Sequence, residues 1–142
     1  MASKIGLLFL CTGNSCRSQM AEGWARRLLG DFAEPYSAGT EPRGLDPRAV
    51  QVMREAGVDI SSQRSKHVNV FADREFDYVI TLCDSAAEAC PFFPVKKRIV
   101  HRAFDDPARA TGDEEEVLAE FRWVRDEIRD FVLSLPDTLK ED

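Results

Sequence analysis

Ile5-Gly6-Leu7-Leu8-Phe9-Leu10-Cys11-Thr12-Gly13-Asn14-Ser15-Cys16-Arg17-Ser18 is the stretch that decides the fold. Residues 5–10 form a short, continuous apolar run, the pattern of a strand buried on both faces in a parallel sheet. The run empties into a Gly-Asn-Ser loop. From Ser18 onward, Met20, Ala21, Trp24, Ala25 and Leu28 recur at helical spacing until Gly30-Asp31 stops the pattern. The chain therefore opens with a strand, a tight loop and a helix.

The same alternation continues downstream. Tyr36-Ser37-Ala38 reads as a weak strand, and Asp46-Pro47 supplies an N-cap and a first-turn proline for a helix through Val50, Met53 and Ala56 to Gly57. Residues 61–74 are polar and irregular, with a short helix expected around 68–72. Phe76 to Leu82 has strong strand propensity and again ends at a cysteine, Cys83. A fourth strand is expected at Arg98-Ile99-Val100-His101, followed by Phe104-Asp105-Asp106-Pro107. A long helix then begins near Glu114, with Val117, Phe121, Val124, Ile128, Phe131 and Leu135 on one face. The acidic run 113–116 is its solvated, dipole-favourable first turn. The pattern implies an α/β fold, a three-layer sandwich with a four-stranded parallel sheet flanked by helices. No repeat or linker divides residues 1–142, which are expected to form one domain. In such sheets ligands bind beyond the carboxyl ends of the strands. That rule brings Cys11, Cys83 and the Asp105-Asp106 pair to one edge.

Composition narrows the function classes. The 142 residues are 44% hydrophobic and 31% charged, with a formal net charge of −6. An acidic surface disfavours nucleic acid and anionic membrane as partners, so any anion site must be local. No apolar run approaches a membrane span and no targeting signal is evident, so a soluble, cytoplasmic protein is expected, with monomer as the default. Four cysteines without a signal peptide fit a reducing compartment, where catalytic and metal-binding roles are commoner than structural bridges.

The loop carries the chemistry. A cysteine, five residues and an arginine between a strand and a helix form an oxyanion cradle. Backbone N–H groups of Thr12, Gly13, Asn14, Ser15, Cys16, Arg17 and Ser18 can point inward at an anion, and Arg17 can grip two of its oxygens. The same positive field favours a thiolate at Cys11, to which Ser18 can donate. Gly13 and Asn14 tolerate the positive φ of a curled loop. Cys16 is expected to point away from the anion and pack.

These residues resemble the low-molecular-weight protein tyrosine phosphatase fold, and residues 11–23 as a whole resemble the thioredoxin-coupled arsenate reductases built on it. Further landmarks of the resemblance are Tyr36-Ser37-Ala38-Gly39, residues 83–91, and Phe104-Asp105-Asp106-Pro107. The resemblance implies that Cys11 attacks arsenate to form a thiol-arsenate adduct, with Asp106 as general acid. It further implies that Cys83 attacks Cys11 as arsenite leaves, that Cys90 attacks Cys83, and that thioredoxin reduces the final disulfide. Phosphate and sulfate would act as arsenate mimics. The alternative is a phosphatase that hydrolyses phosphate monoesters through a cysteinyl-phosphate. It needs only the loop cysteine, the arginine and an acid, whereas a two-electron reduction can use the second thiol pair. Two unpaired structural cysteines or a zinc site are the bland readings of Cys83 and Cys90.

Two finer expectations follow. Asp84 or Ser85 can cap a helix that Ala86-Ala87-Glu88-Ala89 favours and Pro91 ends. In such a helix Cys83 and Cys90 stand about 10 Å apart along the axis, beyond the roughly 4.4 to 6.8 Å of a disulfide, so oxidation must unwind it. No tightly bound cofactor or metal is expected, although some relatives hold potassium through Asn, Glu, Ser and Asp. Asn14, Glu22 and Ser37 match that set, but Lys66 stands at the Asp position, where an ammonium replaces the ion and leaves little potassium dependence.

Overall fold

The computed structural model describes residues 4–83 and 95–140. Strands β1 (Ile5–Cys11), β2 (Ala33–Gly39), β3 (Phe76–Thr81) and β4 (Val95–His101) alternate with helices α1 (Arg17–Leu28), α2 (Pro47–Glu55) and α3 (Glu114–Lys140). The sheet is fully parallel in the order β2-β1-β3-β4. The most apolar strand, β1, thus sits between two others, as its unbroken hydrophobic run requires.

The sheet separates two apolar cores. Leu7, Phe9, Tyr78 and Ile80 point into the larger one, where Met20 and Trp24 of α1, Val52 and Met53 of α2 and Phe121 and Ile128 of α3 meet them. Each fully buried side chain of this size contributes on the order of 1.5–3 kcal/mol. The alternate residues Leu8, Leu10 and Val79 face the opposite side, where Val68 and Phe71 of a single 3₁₀ turn (Val68–Phe71) pack with Tyr36. Tyr36, Phe71 and Phe76 form an edge-to-face trio with ring centroids 5.5–5.6 Å apart.

Local chemistry explains the element boundaries. Asp46 accepts from the Arg48 N–H at 2.8 Å and Pro47 opens α2, as the Asp-Pro pair predicts. Gly57, at φ +88°, follows the end of that helix. β2 is longer than the weak Tyr36-Ser37-Ala38 signal because all seven of its residues pair with β1. Pro35 is tolerated because β2 is an edge strand. β4 likewise begins three residues before the expected Arg98, and its Lys96, Lys97 and Arg98 keep the opposite edge charged. The expected helix at 68–72 is the 3₁₀ turn. In α3 it is Val132 that is fully buried, while Phe131 is only half-buried and packs edge-to-face on Phe104 at 5.8 Å. The helix expected at 84–90, and Cys90 with it, lies outside the described residues.

Candidate functional site

β1 delivers Cys11 to the carboxyl edge of the sheet, where it is buried, and residues 12–16 curl from it into the N-terminus of α1. The loop carbonyls are all turned outward. Thr12 O accepts from Glu41 N at 2.9 Å, Gly13 O from Arg43 N at 2.9 Å and the Ser65 hydroxyl at 3.3 Å, and Ser15 O from Asp46 N at 3.0 Å. Asn14 O accepts from Gln19 Nε2 at 3.1 Å, and Cys16 O from Met20 N at 2.8 Å. Carbonyl and N–H of a trans peptide point in opposite directions, so carbonyls tied outward turn the following N–H groups toward the centre of the curl. The oxyanion cradle expected from the sequence requires N–H groups turned this way. Asn14 adopts φ +47°, the one non-glycine residue with positive φ among those described.

Cys11 sits at the base of this curl. Ser18 Oγ lies 2.9 Å from Cys11 Sγ and accepts from Asn14 Nδ2 at 2.7 Å, which frees its own hydrogen for the sulfur. Both Cys11 and Cys16 are free thiols. Burial above all, then the neighbouring Asp106 carboxylate, raise the Cys16 thiol far above the ordinary cysteine range. Cys16 packs in the larger core, and its thiol donates to Asp106 Oδ1 at 3.5 Å. Its side chain thus packs, as expected.

Arg17 opens α1 and is buried, yet its guanidinium reaches across the edge. Its Nη1 donates to Phe104 O at 3.3 Å and its Nη2 lies 3.6 Å from Asp106 Oδ2. Asp106 follows β4 and caps the 3₁₀ turn Pro107–Arg109 by accepting from Ala108 N at 3.0 Å, so its carboxylate is held in place at 13% exposure. Asp105 beside it is exposed. Cys83 is fully buried just past β3, and Leu82 N donates to Leu10 O at 2.8 Å, so Cys83 follows β3 beside the level at which Cys11 ends the neighbouring strand β1. The edge thus gathers Cys11, Arg17, Cys83 and Asp106. Cys90 lies outside the described residues.

The residues of the expected potassium set are occupied by the chain's own donors. Asn14 Oδ1 accepts from Lys66 N at 2.8 Å and Gln19 Nε2 at 3.2 Å. Glu22 Oε1 accepts from Ser37 Oγ at 2.6 Å, and Oε2 pairs with Arg26 Nη1 at 2.9 Å. The Lys66 ammonium donates to Arg64 O, and burial lowers its pKa against the opposing pull of Glu22. Among the described residues these oxygens thus face the chain's own donors and cations.

Two contributors escape a reading of the sequence. Gly39 ends β2 against the loop, where a Cβ would stand 2.4 Å from Thr12 O and 2.8 Å from Cys11 O. Gln19 is fully buried beneath the loop, although a glutamine in the first turn of a helix reads as a solvent-facing residue.

The chain is 53% identical over 136 residues to an arsenate reductase of Bacillus licheniformis, covering 96% of this chain and 98% of that one. It is 51% identical over 140 residues to an arsenate reductase of Bacillus subtilis, covering 99% and 100%. Among solved structures, an arsenate reductase in its reduced state superposes with a TM-score of 0.76 at 34% identity, covering 96% of this chain and 99% of that one. A thioredoxin-dependent arsenate reductase of Corynebacterium glutamicum matches with a TM-score of 0.64 at 27% identity, over 94% of this chain and 64% of the other. The low molecular weight phosphotyrosine protein phosphatase model matches residues 6–142, and the chain belongs to that family.

Proposed function

We propose that this chain reduces arsenate to arsenite by a cysteine relay and serves in arsenic detoxification. The placement of Cys11 and Cys83 past hydrogen-bonded residues of neighbouring strands is the observation that carries this reading, since a hydrolase has no use for the second sulfur. The relatives at about half identity that bear the name arsenate reductase support it.

The Cys11 thiolate attacks arsenic within the loop while Arg17 holds the equatorial oxygens and Asp106 protonates the departing one, which leaves as water. Cys83 then attacks Cys11 Sγ. The S–As bond breaks with its electron pair passing to arsenic, so As(V) becomes As(III), arsenite departs, and a Cys11–Cys83 disulfide remains. Cys90 attacks Cys83 and releases Cys11 as a thiolate. A dithiol donor, thioredoxin in our reading, reduces the Cys83–Cys90 disulfide and is itself oxidised. The thioredoxin-dependent neighbour supports this choice of donor. No helix among the described residues is long and apolar enough to cross a membrane. In our reading the enzyme is cytoplasmic and monomeric and is supplied by thioredoxin.

The test is arsenate-dependent NADPH oxidation in the presence of thioredoxin and thioredoxin reductase. Steady turnover is expected. Hydrolysis of phosphate monoesters without arsenate-dependent oxidation would instead assign the loop to a phosphatase. Because Arg26, Lys66 and Ser37 already satisfy the oxygens of Glu22 and Asn14, exchanging potassium for sodium at constant ionic strength should leave turnover unchanged. A several-fold potassium stimulation would contradict that arrangement.

A further inference from the structure

Beneath the anion loop runs a chain of hydrogen bonds with a single direction. Arg26 Nη1, which can only donate, lies 3.4 Å from Gln63 Oε1. Gln63 Nε2 donates to Gln19 Oε1 at 2.8 Å and Gln19 O at 3.0 Å. Gln19 Nε2 then has two hydrogens for three acceptors: Arg64 O at 2.8 Å, Asn14 O at 3.1 Å and Asn14 Oδ1 at 3.2 Å. Asn14 Nδ2 donates to Ser18 Oγ at 2.7 Å, and Ser18 lies 2.9 Å from Cys11 Sγ.

Every amide in this chain is oriented by the one before it. If Asn14 were flipped, its carbonyl oxygen would face Ser18 and take the hydroxyl hydrogen that now serves the sulfur. Two donors oppose the flip, the Lys66 backbone N–H at 2.8 Å and Gln19 Nε2 at 3.2 Å. Gln19 also holds the carbonyl of Asn14 outward while that residue occupies its left-handed conformation. We infer that Gln19, itself oriented by Gln63, is a positioning residue for the nucleophile: it holds Asn14 in the orientation that leaves the Ser18 hydroxyl free to donate to Cys11.

The inference rests on Cys11 being the nucleophile, but its test reads that thiol alone, without oxyanion or electron donor. Its failure and failure of the arsenate assay are therefore separate events. The measurement is the rate constant for alkylation of Cys11 by iodoacetamide in the reduced full-length protein, localised by mass spectrometry. Ser18→Ala should slow it about 10-fold, and Gln19→Met about 3-fold because Lys66 still restrains Asn14. Gln63→Met should act in the same direction, by about 2-fold. The double variant Ser18→Ala/Gln19→Met should react at the rate of Ser18→Ala to within about 1.5-fold, since Gln19 acts only through the serine. A loop that had simply loosened would slow both backgrounds alike, so full multiplication of the two effects would overturn the inference. So would a Gln19→Met rate equal to the parent's. If Gln19→Met does not fold, the same cycle with half-buried Gln63 decides, and an unchanged rate in Gln63→Met overturns the proposal.

Discussion

The Arg17 Nη2 atom lies 3.6 Å from Asp106 Oδ2, although one residue opens the first helix and the other follows the last strand. In the proposed mechanism the guanidinium assigned to the oxyanion is therefore positioned by the same carboxyl group that is assigned to protonate a leaving oxygen. The fork of Arg17 is fixed further by Phe104 O.

Asp106→Asn preserves the turn cap, because an amide oxygen can still accept from Ala108 N, but removes the proton donor. Adduct formation should slow by about 10²–10⁴-fold. Phosphate affinity, measured by competitive inhibition, should stay within a few-fold of the parent's. Unchanged single-turnover rates would remove Asp106 from the mechanism.

Gly39→Ala introduces a Cβ at 2.4 Å from Thr12 O and 2.8 Å from Cys11 O. Both contacts are to backbone, so the anion loop itself must shift. A stability loss of about 1–3 kcal/mol is expected, together with weaker phosphate binding. Calorimetry and inhibition titrations check the two effects. A variant with parental melting temperature and affinity would show that the loop yields more easily than its packing implies.

Cys16 should stay a bystander thiol. Burial and the Asp106 carboxylate raise its pKa, so its reactive thiolate is depleted at every pH below that raised value, neutral pH included. Iodoacetamide at pH 8 should modify Cys11 and leave Cys16 intact in peptide maps, and Cys16→Ala should keep activity within about 3-fold. Rapid modification of Cys16 would contradict its placement.

Much of this site was legible in the sequence for definite physical reasons. A two-sided apolar strand followed by a cysteine, a loop and a helix start puts Cys11 at the carboxyl edge of the sheet, and strand alternation puts Cys83 and Asp106 at the same edge. Strand lengths were less legible. β2 and β4 extend beyond their propensity because pairing with neighbours, rather than their own composition, holds Ala33 and Val95 in the sheet. Phe131 and Val132 exchange core rank because the α3 stripe drifts around the helix over its length, so simple spacing selects the neighbour of the buried residue. Gln19 and Gly39 were illegible because their roles depend on loops from distant parts of the chain, 60–66 and 11–14, closing over them. The expectation of a helix that unwinds between Cys83 and Cys90 concerns residues beyond those described.

The sulfur relay is tested most directly by a single turnover of Cys90→Ser with arsenate, followed by disulfide mapping. One equivalent of arsenite per protein, a Cys11–Cys83 disulfide and no further turnover with thioredoxin are the predicted result. Sustained turnover in that variant, or arsenite release without a bond between those two sulfurs, would contradict the account.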